Sequence, residues 1–244
     1  MGRSENIEIK QTKLNLSKIL NDALTYIVPE LCFGCNAVLY RGEHLLCAFC
    51  RNELPLTDFN FRVENPADRL FYGRCRVEKV SAMLYYAENG IVRNLIHHLK
   101  YRKQEKIGAW LGDWFGQQIQ GESSLHGISI VLPVPLHPKK KRKRGYNQCS
   151  RFGSTIAGHL GAVYSEKHLI KTTRTRTQTT KNRWKRWKNT EEAFRLRHPW
   201  EFEGRDILIV DDVLTTGATL EACVHAFNSV RDKRLFIAVM TVVP

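Results

Sequence analysis

The sequence predicts an α/β fold, a doubly wound parallel sheet preceded by a small cysteine-rich unit. Three observations carry this. Continuous apolar runs such as ISIVLPV (128–134) and ILIV (207–210) suit strands covered on both faces. Helical patterns alternate with them, which argues parallel strands joined by crossovers. Four cysteines fall in two CxxC pairs before the first predicted strand.

Along the chain, Leu14, Ile19, Leu20, Leu24 and Ile27 fall on one side of a helix that Pro29 closes. A surface-binding amphipathic helix over 1–30 is one reading; packing on its own domain is favoured, because the run is short and few cations flank it. The cysteine unit occupies 31–55. Residues 53–69 show no period, Pro55 and Pro66 interrupt them, and they read as a linker. The α/β domain spans 75–244. Its predicted elements are a strand over 80–86, a helix on Ile91, Leu95, Ile96 and Leu99, and a second helix on Ile107, Trp110, Leu111, Trp114, Phe115 and Ile119. The strand at 128–134 follows, then a helix over 148–160. The strand at 207–210, a helix on Leu220, Cys223, Val224, Phe227 and Val230, and a last strand over 236–243 complete the pattern.

The chain has 244 residues and a formal net charge of +14, so an anionic partner is expected: nucleic acid, a phosphorylated metabolite or an acidic membrane surface. No segment is long and apolar enough to span a bilayer. The start, MGRSENIEIKQTK, lacks the apolar centre of a secretory signal, so a cytoplasmic protein is expected. Seven cysteines in that setting suggest metal ligands or buried thiols before disulfides. Cys32-x2-Cys35 and Cys47-x2-Cys50 are two knuckles, each turning a pair of thiolates toward one point, and together they complete a tetrahedron around structural Zn²⁺. Redox cysteines, disulfides or an iron–sulfur cluster are the competing readings, and His44 is a spare ligand. Cys75, Cys149 and Cys223 read as isolated thiols.

The stretch VDDVLTTGAT (210–219) joins a predicted buried strand to a predicted helix. Parallel sheets bind ligands beyond the carboxyl ends of their strands. There, Thr215, Thr216, Gly217, Ala218 and Thr219 offer hydroxyls and helix-start N–H groups to one phosphate. Asp211 and Asp212 accept hydrogen bonds, which suits vicinal sugar hydroxyls and an associated Mg²⁺. Simple helix capping by Asp212 or Thr215 is the alternative.

The stretch VDDVLTTGAT resembles the signature of type I phosphoribosyltransferases, which bind phosphoribosyl pyrophosphate. The resemblance assigns the loop to the 5'-phosphate and the acids to the ribose. It narrows to the ComF family of competence-associated, amidophosphoribosyltransferase-like proteins on further features. These are the four-cysteine unit, LKY at Leu99–Tyr101, VLPVPLHPKKKRKRGYNQ at Val131–Gln148, Arg174, Thr177, Gln178, Arg186 and Asn189, and Ala193-Phe194. It implies a type I phosphoribosyltransferase-like sheet with a zinc-ribbon-like unit. It also implies transfer of the phosphoribosyl group to an unidentified nitrogen nucleophile, or single-stranded DNA binding beside DNA-uptake proteins without turnover.

Two basic segments complete the picture. Residues 139–197 hold eighteen Lys/Arg against three Asp/Glu, so nearly all the excess charge lies there. The first segment is predicted as a loop, Lys139–Arg144, leaving the strand at 128–134. The resemblance implies that this loop contacts the pyrophosphate, which makes Arg144 the candidate to neutralise it as it leaves, with Lys100, Gly145 and Asn147 as further loop contacts. A solvated or localisation-type tract is the alternative for Lys139–Lys143. The second, around 171–189, is predicted as a closing loop with Arg174, Arg176 and Arg183 as charge contacts. Trp184 and Trp187 sit among its cations, either packed on the domain or available to stack bases of single-stranded nucleic acid.

Overall fold

The computed structural model describes residues 29–172 and 193–244. The predicted N-terminal helix, together with Arg174, Thr177, Gln178, Arg183, Trp184, Arg186, Trp187 and Asn189, lies outside the described residues, as does Arg176. No helix among the described residues is long and apolar enough to cross a membrane.

A short helix α1 (Ala48–Asn52) closes the cysteine unit, and α2 (Pro66–Arg69) precedes strand β1 (Lys79–Tyr85). Helices α3 (Ile91–Tyr101) and α4 (Glu105–Ile119) lead to β2 (Ile128–Pro133). Then come α5 (Pro138–Arg144), α6 (Ser150–Leu160) and β3 (Val163–Tyr164). An antiparallel pair, β4 (Leu169–Lys171) and β5 (Phe194–Leu196), stands apart from the main sheet. Strand β6 (Asp206–Leu214), helix α7 (Ala218–His225) and β7 (Arg234–Val242) end the chain. The main sheet has order β1-β7-β6-β2-β3 and every pair in it is parallel.

Alternation along the central strands explains why they read as unbroken apolar runs. Ile207 and Ile209, with Leu235, Ile237 and Val239, enter one core with Leu220, Val224 and Phe227. Leu208 and Val210, with Phe236, Ala238 and Met240, enter the other, under Leu95, Leu99, Leu111, Phe115 and Phe152. Both faces of the sheet are covered, so the middle of these strands, 207–210 and 235–240, carries only apolar side chains, and polar ones stand at the strand ends.

Two expectations change. Residues 53–69 are not a free linker; they seal the outer edge of β1. Thr57 N–H donates to the Met83 carbonyl at 3.0 Å, and Leu56 bridges Leu84. The Asn65 amide donates to the Val80 carbonyl at 2.8 Å, and an Asp68 oxygen accepts from Val80 N–H at 2.7 Å. Phe59, Phe61 and Phe71 are buried behind them. The segment lacks a period because its polar groups satisfy a strand edge instead of lining a helix. Residues 139–144 are not a loop but part of α5. Pro138 starts it, His137 Nδ1 accepts from Lys139 N–H at 3.2 Å, and Gly145 ends it at φ 89°. Lysine and arginine are good helix formers, and cations in a last turn oppose the helix dipole.

Helices α4 and α6 touch almost backbone to backbone. A Cβ on Gly112 would lie 2.7 Å from the Phe152 carbonyl oxygen, and one on Gly116 would strike the His159 ring. This approach lets Phe115 and Phe152 meet at 5.8 Å between ring centroids. Gly112→Ala should destabilise the protein by about 1–3 kcal/mol through overpacking against backbone that cannot rotate away. Thermal unfolding should show this as a drop of roughly 5 °C, whereas Gly158→Ala, with open space around the new methyl, should not lower the midpoint.

Candidate sugar-phosphate site and metal centre

The site begins where β2 stops. Val134 N–H donates to the Val210 carbonyl at 2.9 Å, and Pro135, with no N–H, cannot continue the ladder. Strand β6 runs on alone on that side, paired only with β7 from Asp211 to Leu214. The strand therefore extends past the acids rather than ending before them, yet they still lie beyond the carboxyl end of β2. Each is 6% exposed.

Asp211 Oδ1 accepts from Asp212 N–H at 2.9 Å and from the Cys149 thiol at 3.5 Å. Burial, then the neighbouring Asp212 carboxylate, pushes the Asp211 pKa up to about 8. The same two causes, burial first and then the acids, push the Cys149 thiol well above its usual value. Lys100, in the last turn of α3, brings its ammonium to 2.7 Å from Asp212 Oδ2. That oxygen has no aligned hydrogen bond, so the contact is a charge pair that leaves a lone pair open to another donor.

From Leu214 the chain turns through exposed Thr215 and Thr216 to buried Gly217, whose φ of 75° favours glycine. Exposed Ala218 and Thr219 open α7. A Cβ on Gly217 would meet the Phe71 ring at 3.2 Å. Arg74 holds this turn: Nη1 donates to the Leu70 and Thr216 carbonyls, each at 2.8 Å, and the guanidinium pairs with Glu221. Glu221 stands in the first turn of α7, where its charge would oppose an anion, and Arg74 offsets it. Nothing local marks Arg74; it comes from the segment before β1, 142 residues from Thr216.

The predicted pyrophosphate residues divide. Arg144 lies over the Tyr101 ring, 5.5 Å from its centroid, and donates to the Gln148 side chain. Gly145 serves as the cap of α5. The buried Asn147 amide is committed to backbone, donating to the Val134 carbonyl at 3.0 Å and accepting from Cys149 N–H at 3.1 Å. Lys100 faces the acid pair instead of a loop. Lys141 reaches Glu166 at 2.9 Å, tying α5 to the sheet edge, while the cations from Lys139 to Lys143 stay exposed.

In the cysteine unit, one ligand atom from each of Cys32, Cys35, Cys47 and Cys50 lies within 4.8 Å of the others. Four thiolates at about 2.3 Å from Zn²⁺ would be about 3.8 Å apart, and Cys35 Sγ lies 3.8 Å from Cys47 Sγ. Cys32 Sγ accepts from Gly34 N–H and Cys47 N–H, both at 3.3 Å, and Cys47 Sγ accepts from Cys50 N–H at 3.4 Å. Burial alone would raise the Cys32 thiol, but the N–H groups outweigh it and bring the pKa to about 7. The donor set and its spacing fit a tetrahedral metal.

The raised Asp211 pKa has a sign. The folded protein holds a proton there that the unfolded chain has lost, so stability is full below the ordinary aspartate range, near pH 4, and falls as pH rises toward 8. Asp211→Asn should raise the melting temperature of the ligand-free protein at pH 8.5 by roughly 3–6 °C. The gain should vanish at pH 4, and scans across that range check it.

Residues 150–242 match the Phosphoribosyl transferase domain family. DNA utilization protein YhgH of Salmonella typhimurium is 30% identical over 207 residues, 79% of this chain and 88% of that protein. The Escherichia coli K12 protein of that name is 28% identical over the same shares. Competence protein F of Haemophilus influenzae is 25% identical over 78% of this chain and 86% of its own. The crystal structure of adenine phosphoribosyltransferase from Leishmania tarentolae overlaps at 12% identity and a TM-score of 0.37, covering 76% of this chain and 94% of that chain. Similarity at 30% identity covering 79% of this chain, with a phosphoribosyltransferase domain over residues 150–242, makes this chain a member of the ComF family, alongside the DNA utilization proteins YhgH and competence protein F.

Proposed function

We propose that the protein binds phosphoribosyl pyrophosphate with Mg²⁺ and transfers the phosphoribosyl group to a nitrogen nucleophile. One observation carries this reading: a buried acid pair on the end of β6 that runs past β2 leads directly into a largely exposed Thr-Thr-Gly-Ala-Thr turn at a helix start. The 5'-phosphate sits on the N–H groups and hydroxyls of Thr215–Thr219. The ribose hydroxyls donate to Asp211 and Asp212. Asp211 and Asp212 offer the hard oxygen donors that Mg²⁺ takes, and the ion, bound with the substrate, would neutralise pyrophosphate charge. The bond between the anomeric carbon and pyrophosphate oxygen breaks, and pyrophosphate leaves with the electron pair. The nitrogen lone pair forms the new bond and the nitrogen loses a proton. Lys100 and Arg144 stabilise the departing anion, and Arg174, Arg176 and Arg183 add charge from the second basic segment. Zn²⁺ on Cys32, Cys35, Cys47 and Cys50 braces the fold.

Calorimetry with phosphoribosyl pyrophosphate and Mg²⁺ tests this, with one site per chain expected. Asp211→Asn with Asp212→Asn should weaken binding at least about 100-fold, since two charge-assisted contacts are lost. Absence of binding by the unaltered protein overturns the reading. Metal analysis should return one zinc per chain.

A second reading, single-stranded DNA binding in DNA uptake, is favoured by the relatives' names and by the exposed cations of α5. Affinity for an oligonucleotide should fall steeply with salt. Reversing the charges of Lys139–Lys143 should weaken it further, while the double aspartate variant should leave it unchanged.

A further inference from the structure

Helix α3 has two working sides. Ile91, Asn94 and His98 follow the i, i+3, i+7 spacing of one helical stripe, and this stripe grips the first cysteine knuckle. Asn94 Nδ2 donates to the Gly34 carbonyl at 2.7 Å. A Cβ on Gly34 would lie 3.0 Å from Ile91 Cγ2 and 2.9 Å from Cys50 Sγ, so helix, glycine and thiol are in direct contact. The Phe33 ring, between the two knuckle cysteines, meets the His98 ring at 4.8 Å, and the Lys106 ammonium lies over it, 5.2 Å from its centroid.

The last turn of the same helix reaches the acid pair. Lys100 stands about 200° around the helix from His98 and pairs with Asp212. The Leu99 carbonyl accepts from the Tyr146 hydroxyl, and the Tyr101 ring lies under Arg144. Six residues of helix, about 9 Å of rigid rod, separate Asn94 from Lys100. The core side of the rod is packed by Val92, Leu95, Ile96 and Leu99, so the bond at its knuckle side fixes how far it can rotate or slide.

We propose that Asn94 is a positioning residue that ties the four-cysteine unit to α3 and thereby sets Lys100 against Asp212. Its effect on ligand binding rests on the sugar-phosphate reading above; the coupling itself does not. The metal unit is then a clamp on the helix that presents Lys100, as well as a brace for its own loop. Asn94 touches neither ligand nor acid, so it acts only through the helix.

The test uses the full chain with Asn94→Leu, which keeps side-chain size and removes the donor. Zinc content should stay at one per chain. Affinity for phosphoribosyl pyrophosphate with Mg²⁺ should fall about tenfold, the size of one buried hydrogen bond. Asn94→Gln, which keeps a donor, should recover most of it. In a Lys100→Met background, Asn94→Leu should change affinity less than about twofold, because contacts on one pathway are not additive. An equal loss in both backgrounds, or no loss in either, overturns the proposal. If the unaltered protein binds no phosphoribosyl pyrophosphate, the sugar-phosphate reading fails by itself and amide hydrogen exchange decides the coupling. Asn94→Leu should then speed exchange at residues 99–102 and 212–216 while leaving Gly34 and Cys47 unchanged, and unaltered exchange at 99–102 overturns it.

Discussion

Burying two adjacent carboxylates at the open end of a strand is the constraint on which the rest of this structure depends. A pair of like charges removed from water is costly unless protonation, a counter-ion or a ligand relieves it. The protein relieves it by two routes at once. Asp211 keeps its proton toward neutrality, and Lys100 stands at Asp212. Both are reversible, as the proposed binding of hydroxyl donors and a cation requires. Pro135, which ends pairing beyond Val134, and Lys100, delivered by a separate helix, are consequences of the same demand.

The surrounding layers are arranged to hold that strand end still. Strand β6 lies between β2 and β7, with an apolar core on each face. On one side, glycines on α4 let α6 approach closely, and the turn before α6 carries Cys149 against Asp211. On the other side, the segment before β1 seals the sheet edge and delivers Arg74 to the turn at Thr216. The cysteine unit is not a separate appendage. Cys32, Leu46 and Cys50 share an apolar cluster with α3, α4 and the sheet.

Much of this was legible in the sequence because its signals are local. The CxxC pairs are four residues each. The acid pair, the Thr/Gly turn and the start of α7 fit within ten residues, and the apolar runs mark strands buried on both faces. The misreadings came where local and tertiary demands differ. A six-cation run reads as a loop by charge, yet His137, Pro138 and Gly145 bracket it as a helix. Residues 53–69 read as a linker because strand-edge partners leave no period. The backbone bonds of the Asn147 amide, to the Val134 carbonyl and from Cys149 N–H, carry no local signal either.

The sequence by itself determined the class of fold, the four thiols and the strand–acid–turn–helix unit, because each depends on spacing along the chain that backbone geometry turns directly into shape. Tertiary structure alone decided which cation meets which acid and which helix meets which knuckle. Lys100 finds Asp212, Arg74 finds the Thr216 carbonyl and Glu221, and Asn94 finds Gly34 across 60 residues. Such pairings carry no period or motif. They exist only once the sheet has closed and its crossover helices have packed, bringing distant residues within hydrogen-bond reach.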